Sequence, residues 1–194
     1  VHETMRAPSK YTRDYYVRSR IRKTVFWIAA VAAAIALAYA YSFYFGQNIV
    51  VQESSMDPTL SAGDTLLIDR AAYKLGSPKR GDIIVFRTSD DPKSSLHIKR
   101  VVGLPGETVQ IQNGQILING ETYVEKRDFP AITNPGIAEE PVELGRGEYF
   151  VLGDNRNNSE DSRYADIGPI EKKRIVGKLW MVTAPFEKMG LLHH

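Results

Sequence analysis

The sequence has no cysteine among its 194 residues, so disulfide bonds, zinc–thiolate sites and a cysteine nucleophile are excluded. It has only four histidines, and they do not cluster with carboxylates at the spacing of metal ligands. The pattern therefore predicts no metal site. Any hydrolytic chemistry in this chain would need a hydroxyl group as its nucleophile.

Charge is absent from one long stretch near the N-terminus. The run from Val25 to Phe45 has twenty-one residues without Asp, Glu, Lys or Arg, close to the roughly 20 that cross a ~30 Å hydrocarbon core as a helix. Gly46 is well placed to end this helix, and aromatic residues lie near both ends, as at membrane interfaces. A buried core helix would need a larger protein to cover it, and a cleavable signal peptide would have a shorter apolar region. We predict a retained membrane anchor over residues 24–46.

The basic residues are concentrated before this run. Residues 1–23 carry seven Lys/Arg against two Asp/Glu, and the next basic residue after Lys23 is Arg70. The positive-inside rule predicts a single-pass protein of the cell membrane, with residues 1–23 as a cytoplasmic tail and residues 47–194 as an extracytoplasmic domain. The basic run could instead bind nucleic acid, but its position against the span favours the topological interpretation. We expect contact with membrane lipid and no nucleic-acid partner.

Beyond Gly46 the sequence predicts a mainly β domain. Asn113-Gly114 predicts a tight hairpin turn, and Asn119-Gly120 offers a second one. Residues 128–147, with three prolines and no clear period, are predicted to be an ordered loop that carries little chemistry. The predicted strands are Thr65–Asp69, Asp82–Arg87, Leu96–Val102, Thr108–Ile111, Gln115–Ile118, Glu148–Leu152 and Ile175–Val182.

A serine close to the end of the apolar run could act as a nucleophile. Ser55 is followed by Met56 and by a turn that contains Pro58. Such a chain reversal can expose the hydroxyl while the backbone N–H points at the same reacting atom. Taken alone, however, the segment is an ordinary turn.

A lysine in a predicted strand could act as the base. Strand alternation over Leu96–Val102 places His97, Lys99 and Val101 on one face. Such a lysine usually faces solvent. If Lys99 instead points into an apolar environment, its pKa falls from ~10.4 and the neutral amine can accept a proton from serine, as in the Ser-Lys variants of serine proteases.

The loop Gly153–Arg163 is the third segment whose side chains could take part in catalysis. Its many turn-forming residues are typical of a tight surface loop. It also contains possible ion-pair partners, and its hydroxyls could orient a neutral lysine. An ion-paired, rigid loop would suit the support of an active site. The residues concerned are Asp154 and Asp161 with Arg156 and Arg163, and the hydroxyls of Ser159 and Ser162.

Four motifs in sequence resemble those of bacterial type I signal peptidases. They are Ser-Met-x-Pro-Thr-Leu from Ser55, Arg-Gly-Asp-Ile-Ile-Val-Phe (80–86), Lys-Arg-Val-Val-Gly-Leu-Pro-Gly-Glu (99–107) and Gly-Asp-Asn-Arg-x-Asn-Ser-x-Asp-Ser-Arg (153–163). The resemblance covers residues 25–185, and the single N-terminal anchor is similar to that of Gram-positive members. It implies an all-β catalytic domain of coiled antiparallel sheets with an inserted subdomain. It also implies preprotein substrates cut after a small-x-small sequence, near the secretion translocon, and no cofactor or metal.

The resemblance also implies roles for individual residues. Ser55 is the nucleophile and Lys99 the general base, and Ser159 hydrogen-bonds the lysine. Supporting ion pairs are implied for Asp154, Asp161 and Arg163. Met56, Leu60 and Ile98 match positions that line the pocket for the small residue before the cut, and Val51 matches the neighbouring pocket.

One position departs from the family pattern. The residue two before the nucleophile is commonly Gly or Ser in the family, but here it is Glu53. An ionised carboxylate directed at the oxyanion would repel the developing charge and could not donate a hydrogen bond. We predict that the Glu53 side chain turns outward, and that its substitution is tolerated.

Four other functions fit parts of the sequence, including a generic anchored β-domain that only binds. A membrane-anchored assembly factor without activity is one, but Ser55 and Lys99 are both present. A self-cleaving Ser-Lys repressor would need a DNA-binding domain, for which residues 1–23 are too short. A dedicated processing peptidase, for example in pilus biogenesis, is the alternative that keeps the same chemistry.

Overall fold

The computed structural model describes residues 10–74, 76–91 and 94–191, with the side chains of residues 20–43 and of those from Gly46 onward. One helix, α1, extends over Lys10–Phe45. The described part of the predicted tail is therefore helical and continuous with the predicted anchor. Residues 1–9 of that tail, and the closing His193 and His194, lie outside the described residues.

Helix α1 and the β-rich part form two compact units, with the boundary between Tyr44 and Phe45. Within α1, Arg20–Phe43 is long and apolar enough to cross a membrane, with a mean hydropathy of 1.9. None of this segment is buried by the protein itself. The helix ends at Phe45, so the predicted end at Gly46 is confirmed.

The β-rich part contains two antiparallel sheets, which confirms the predicted mainly β fold class. The larger sheet has the strand order β1-β2-β11-β3-β4-β9-β10, with β12 paired to β11. The smaller sheet has the order β7-β6-β5-β8. The strands are β1 (Gly46–Val50), β2 (Thr65–Asp69), β3 (Ile83–Arg87), β4 (Leu96–Gly103), β5 (Thr108–Gln112), β6 (Gln115–Ile118), β7 (Glu121–Thr122), β8 (Val142–Glu143), β9 (Glu148–Leu152), β10 (Ile170–Glu171), β11 (Ile175–Ala184) and β12 (Gly190–Leu191).

The predicted hairpin is present in the smaller sheet. Gln112 pairs with Gln115, and between them Asn113 and Gly114 have φ angles of 51° and 77°. Both lie in the left-handed region, as the tight turn of a two-residue hairpin requires. Asn119 and Gly120 form the second turn in the same way, with φ angles of 53° and 81°.

One hydrophobic core belongs to the larger sheet, and another is shared by the smaller sheet and strands β4 and β9 of the larger one. In the larger sheet, Leu66 and Ile68 alternate with less buried residues along β2, and they pack with Val51, Met56 and Leu60. Full burial of such a side chain contributes about 1.5–3 kcal/mol. The packing therefore fixes the turn at residues 54–60 against the sheet. A second core lies under the smaller sheet and includes Val109, Ile111, Ile132, Ala138 and Leu144.

The segment 128–147 has more order and more contacts than the sequence indicated. It contains a 3-10 helix at Gly136–Glu139 and the short strand β8. Phe129 lies under two guanidinium groups, with ring-centre distances of 5.6 Å to Arg100 and 4.2 Å to Arg156. The segment thus braces two buried cations, and the expectation that it carries little chemistry stays a prediction. Three 3-10 helices are present in the described chain, the others being Lys172–Arg174 and Phe186–Lys188.

Candidate active site

Ser55 lies in a tight turn that follows β1. The turn is closed by backbone hydrogen bonds from Asp57 N–H to Ser54 O and from Leu60 N–H to Met56 O. The side chains of Met56 and Leu60 anchor the turn in the core. Ser55 itself is almost fully buried. Its backbone N–H has no acceptor in the part of the chain that the structure describes, so it is free to donate to an oxyanion.

Lys99 meets Ser55 from the middle of β4. Strand β4 pairs with β3 in the register Ile84↔Lys99, and this pairing fixes the direction of the lysine side chain. Its Nζ lies 2.7 Å from Ser55 Oγ, within hydrogen-bonding distance. The exposed fraction of the Lys99 side chain is 0%. The two residues that the sequence singled out, 44 positions apart, are therefore in direct contact.

Burial lowers the pKa of Lys99 below its ordinary value, because the charged ammonium loses its hydration. Nearby carboxylates oppose this shift, Glu53 first and then Asp161 and Glu160. Burial prevails in the balance. A lysine in this position is suited to accept a proton from a neighbouring hydroxyl.

Asp154 ties β4 to the serine turn. Arg100 follows Lys99 on β4 and points to the opposite face, where its Nε and Nη2 each donate to Asp154 over 2.7 Å. The same carboxylate accepts a hydrogen bond of 2.6 Å from Thr59 Oγ1 in the turn. Asp154 thus pairs with Arg100 rather than with Arg156, whose partner is Glu125. Strand alternation separates Arg100 from Lys99 in the sequence, but no local pattern points to its partner Asp154.

Asp161 organises the loop Gly153–Arg163 from within. Its fully buried carboxylate accepts hydrogen bonds from Arg163 Nε at 2.8 Å and from Arg163 Nη2 at 2.9 Å. It also accepts from Ser159 Oγ at 2.8 Å and from Gly153 N–H at 3.0 Å. Ser159 thus donates to Asp161, and no hydrogen bond joins it to Lys99 among the described residues. The expected Ser159–Lys99 hydrogen bond is therefore not formed in the described structure, although a hydroxyl that donates to a carboxylate could still accept from an amine.

The loop is attached to the nucleophile segment by its backbone. Asn155 N–H donates to Ser55 O over 3.0 Å, and Asn155 Nδ2 donates to Ser54 O over 3.1 Å. Gly153 allows this close approach, because a Cβ at that position would lie 2.5 Å from Ser55 O and 2.2 Å from Ser159 Oγ. Ser55 is therefore held on both sides, by its own turn and by the loop. The contacts that Asn155 and Gly153 make with the serine segment could not be predicted from spacing in the sequence.

Glu53 faces the Ser55–Lys99 pair, and the prediction that it turns outward is wrong. Its Oε2 lies 3.4 Å from Ser55 Oγ and 3.5 Å from Lys99 Nζ. The extended segment before the turn places residues 53 and 55 on the same side, and the lysine attracts the carboxylate. The alternation can be predicted from the sequence, whereas the attraction to a buried amine depends on where the fold places Lys99.

His97 lies on the same face of β4, beside Glu53. Its Nδ1 is 4.0 Å from Glu53 Oε1 and has no hydrogen-bond partner among the described residues. Burial lowers the pKa of His97, as does the charge of Lys99, while Glu53 opposes the shift. The ring stacks on Phe86, its register partner on β3, with 5.8 Å between ring centres.

A cavity of about 360 Å³ opens beside Ser55. Three of the predicted substrate-binding residues, Val51, Met56 and Ile98, line it. Leu60 does not line it and is fully buried in the core with Met56. The remaining lining residues are Ile49, Val50, Gln52, Glu53, Ser95 and Leu96, together with Ser55 itself. A short extended peptide with small side chains would fit such a space.

Comparison with known proteins identifies the family. The sequence profile described as "Signal peptidase, peptidase S26" matches residues 24–184. The chain belongs to this signal peptidase family. The match covers helix α1 from Thr24 and nearly all of the β-rich part, so it includes every residue of the site. It confirms the resemblance of the four motifs to those of signal peptidases.

Individual relatives agree with the family. The signal peptidase I of Bacillus licheniformis is 36% identical over 170 residues, which cover 84% of this chain and 90% of that protein. A probable signal peptidase I-2 from Synechocystis is 38% identical over 146 residues, or 73% of this chain and 65% of the relative. The crystal structure of a signal peptidase I from Enterococcus faecalis is 30% identical, with a TM-score of 0.40, and covers 53% of this chain and 97% of that one.

Family membership makes the chain a serine peptidase of the signal peptidase I kind, as predicted. The Bacillus relatives agree with the similarity to Gram-positive members. An assembly factor without activity is not favoured by these relatives, which are named as peptidases. One helix that could span a membrane precedes the β-rich part, as the membrane assignment requires.

Proposed function

We propose that this signal peptidase cleaves signal peptides from translocated preproteins by a Ser-Lys mechanism. The observation that carries the proposal is the 2.7 Å approach of the fully buried Lys99 amine to Ser55 Oγ. Ser55 is the nucleophile, and Lys99 is the general base that activates it. The relatives are named as signal peptidases, which supports the same class of substrate here.

The chemistry proceeds in two balanced halves. Ser55 Oγ attacks the scissile carbonyl carbon while its proton passes to the neutral Lys99 amine. The negative oxygen that forms is stabilised by the free backbone N–H of Ser55. The C–N bond then breaks, and the Lys99 ammonium gives its proton to the departing amine. Water, activated by the same lysine, hydrolyses the acyl-enzyme and releases the signal peptide.

The surrounding residues have supporting roles in this mechanism. The Asp154–Arg100 pair holds β4 against the serine turn, and Asp161 with Arg163 and Ser159 keeps the neighbouring loop rigid. Val51, Met56 and Ile98 form a small apolar wall beside Ser55, which favours small side chains before the cut. Leu60 supports that wall from behind through its packing on Met56.

Purified full-length chain in detergent should cut a preprotein once, directly after its small-x-small sequence, when the product is analysed by N-terminal sequencing. A control preprotein with phenylalanine at the residue before the cut should remain intact, because the proposed substrates have a small residue there, next to the apolar wall of Val51, Met56 and Ile98. A panel containing pilin precursors as well as ordinary secretory precursors separates general secretion from a dedicated role. If the folded chain cuts none of them, the proposal is wrong.

The proposed topology places α1 across the cell membrane, with the N-terminus in the cytoplasm and the β-rich part outside. It rests on the basic residues before the span and their absence from residues 46–69. Protease added to intact spheroplasts should degrade the β-rich part and spare an N-terminal epitope. Lysed spheroplasts provide the control in which both are accessible. A β-rich part that survives in intact spheroplasts would reverse the orientation. In the proposed orientation, the site faces translocated preproteins at the outer surface, in contact with lipid and near the translocon.

A further inference from the structure

Glu53 is the charged group in direct contact with both reacting side chains of the site. Its carboxylate lies 3.5 Å from Lys99 Nζ and 3.4 Å from Ser55 Oγ. The Glu53 side chain is 55% exposed, while the lysine is completely buried. The carboxylate therefore approaches the lysine from the solvent side of the cleft, where it remains hydrated.

We propose that Glu53 is a positioning residue that acts through Lys99, and that it stabilises the ammonium form that Lys99 takes when it accepts the serine proton. The inference rests on the proposed function, since it concerns the same proton transfer. When the O–H bond of Ser55 breaks and an N–H bond forms on Lys99, a positive charge appears in a buried position. A carboxylate 3.5 Å away offsets the cost of that charge.

The other charged groups around Lys99 do not stabilise its ammonium form by direct contact. Asp161 is engaged by the Arg163 guanidinium, and Glu160 is exposed, with no ion pair among the described residues. His97 shares the face of β4 with Lys99 and lies 4.0 Å from Glu53, but its depressed pKa keeps the imidazole neutral near pH 7. The β3 residue opposite Lys99 is the apolar Ile84. Glu53 is thus the carboxylate with a direct contact to the lysine.

Two opposite effects on the rate follow from this contact. Glu53 raises the pKa of Lys99 against the effect of burial, so it makes the neutral base scarcer at low pH. The same attraction makes the neutral amine a stronger base when it is present. Removing the carboxylate should therefore increase activity in acid and decrease it in alkali. The two pH–rate profiles should cross.

The test compares kcat/KM of the full-length wild type and of Glu53→Gln against pH, with one preprotein in detergent. Wild-type kcat/KM should rise with pH to a plateau, with an apparent pKa below the ~10.4 of free lysine. In Glu53→Gln the rise should move to lower pH and the plateau should fall by about two- to fivefold, the size expected for a half-exposed ion pair. Glu160→Gln, which removes an equal charge without a direct contact, should shift the rise less.

Each other outcome overturns the inference. A uniform loss at all pH values, with the rise unmoved, would make Glu53 merely structural. A higher plateau in Glu53→Gln would mean that the carboxylate obstructs the oxyanion. An equal shift in Glu160→Gln would mean that any nearby negative charge has the same effect, without direct contact to Lys99. Melting temperatures of both variants show whether they fold. Because the wild type is measured in the same experiment, failure of the proposed function would appear separately, as a wild type that does not cleave.

Discussion

Replacing Ser55 by alanine should lower kcat/KM for preprotein cleavage by at least about 10⁴-fold, because the variant has no oxygen to form the acyl-enzyme. Lys99→Ala should cause a loss of similar size, since the serine then has no group to take its proton. Ser54→Ala is a matched control, because it deletes a hydroxyl one residue away that, among the described residues, accepts a single hydrogen bond, from Asn158. It should retain activity within about tenfold of wild type.

The double variant Ser55→Ala/Lys99→Ala should be no less active than either single variant. The nucleophile and its base act as one unit, so their losses do not add. All variants should be compared after their melting temperatures show that they are folded. Lys99→Ala activity within tenfold of wild type would contradict the assignment of the base. In that case His97→Ala in the same background would show whether the neighbouring imidazole replaces it.

Asp161→Ala should destabilise the β-rich part by about 3–5 kcal/mol, since it leaves the Arg163 guanidinium buried without its counter-charge. Gly153 N–H and Ser159 Oγ lose their acceptor at the same time. In a thermal melt this corresponds to a decrease in Tm of about 6–20 °C for a chain of this size.

Asp90→Ala provides the matched control for Asp161→Ala. Asp90 forms ion pairs with Lys173 and Arg174 at the surface, and its side chain is 67% exposed. Exposed pairs contribute only about 0–1 kcal/mol, so its Tm should change little. Equal changes in the two variants would show that the Asp161 network does not hold the loop.

The sequence predicted the longer strands well, because each has a local pattern and a boundary of Gly, Pro or Asn. The predicted bounds of β2, β6 and β9 agree with the structure, and β3, β4, β5 and β11 differ by one or two residues. Strand β1 was missed because Gly46 was assigned only as the end of α1. The two-residue strands β7, β8, β10 and β12 were missed because pairs this short have no period of their own and form only when a partner strand is in place.

The candidate reacting residues of the site were more predictable than the ion pairs and hydrogen bonds around them. Ser55 and Lys99 could be singled out from their residue types and from the family motifs. Which carboxylate pairs with which cation depends on how the loop Gly153–Arg163 packs against β4, and no local pattern encodes that packing. The pairing of Asp154 with Arg100 and the hydrogen bond from Ser159 to Asp161 could therefore not be predicted. Glu53 was misjudged because its repulsion of an oxyanion was considered and its attraction to a buried amine was not.

The neighbouring positions of Lys99 and Arg100 on β4 make the chemistry depend on strand registration. A slip of β4 by one residue against β3 would carry either Arg100 or Ile98 to the place beside Ser55. A guanidinium stays charged above pH 12 and an isoleucine has no basic atom, so neither can take the serine proton. A slip of two residues would bring Val101 or the imidazole of His97 to the same place beside Ser55. A single-residue insertion within β4 could thus abolish the proposed activity while the sheet stays folded. Ser55 and Lys99 would both be retained, but a different side chain would lie beside Ser55.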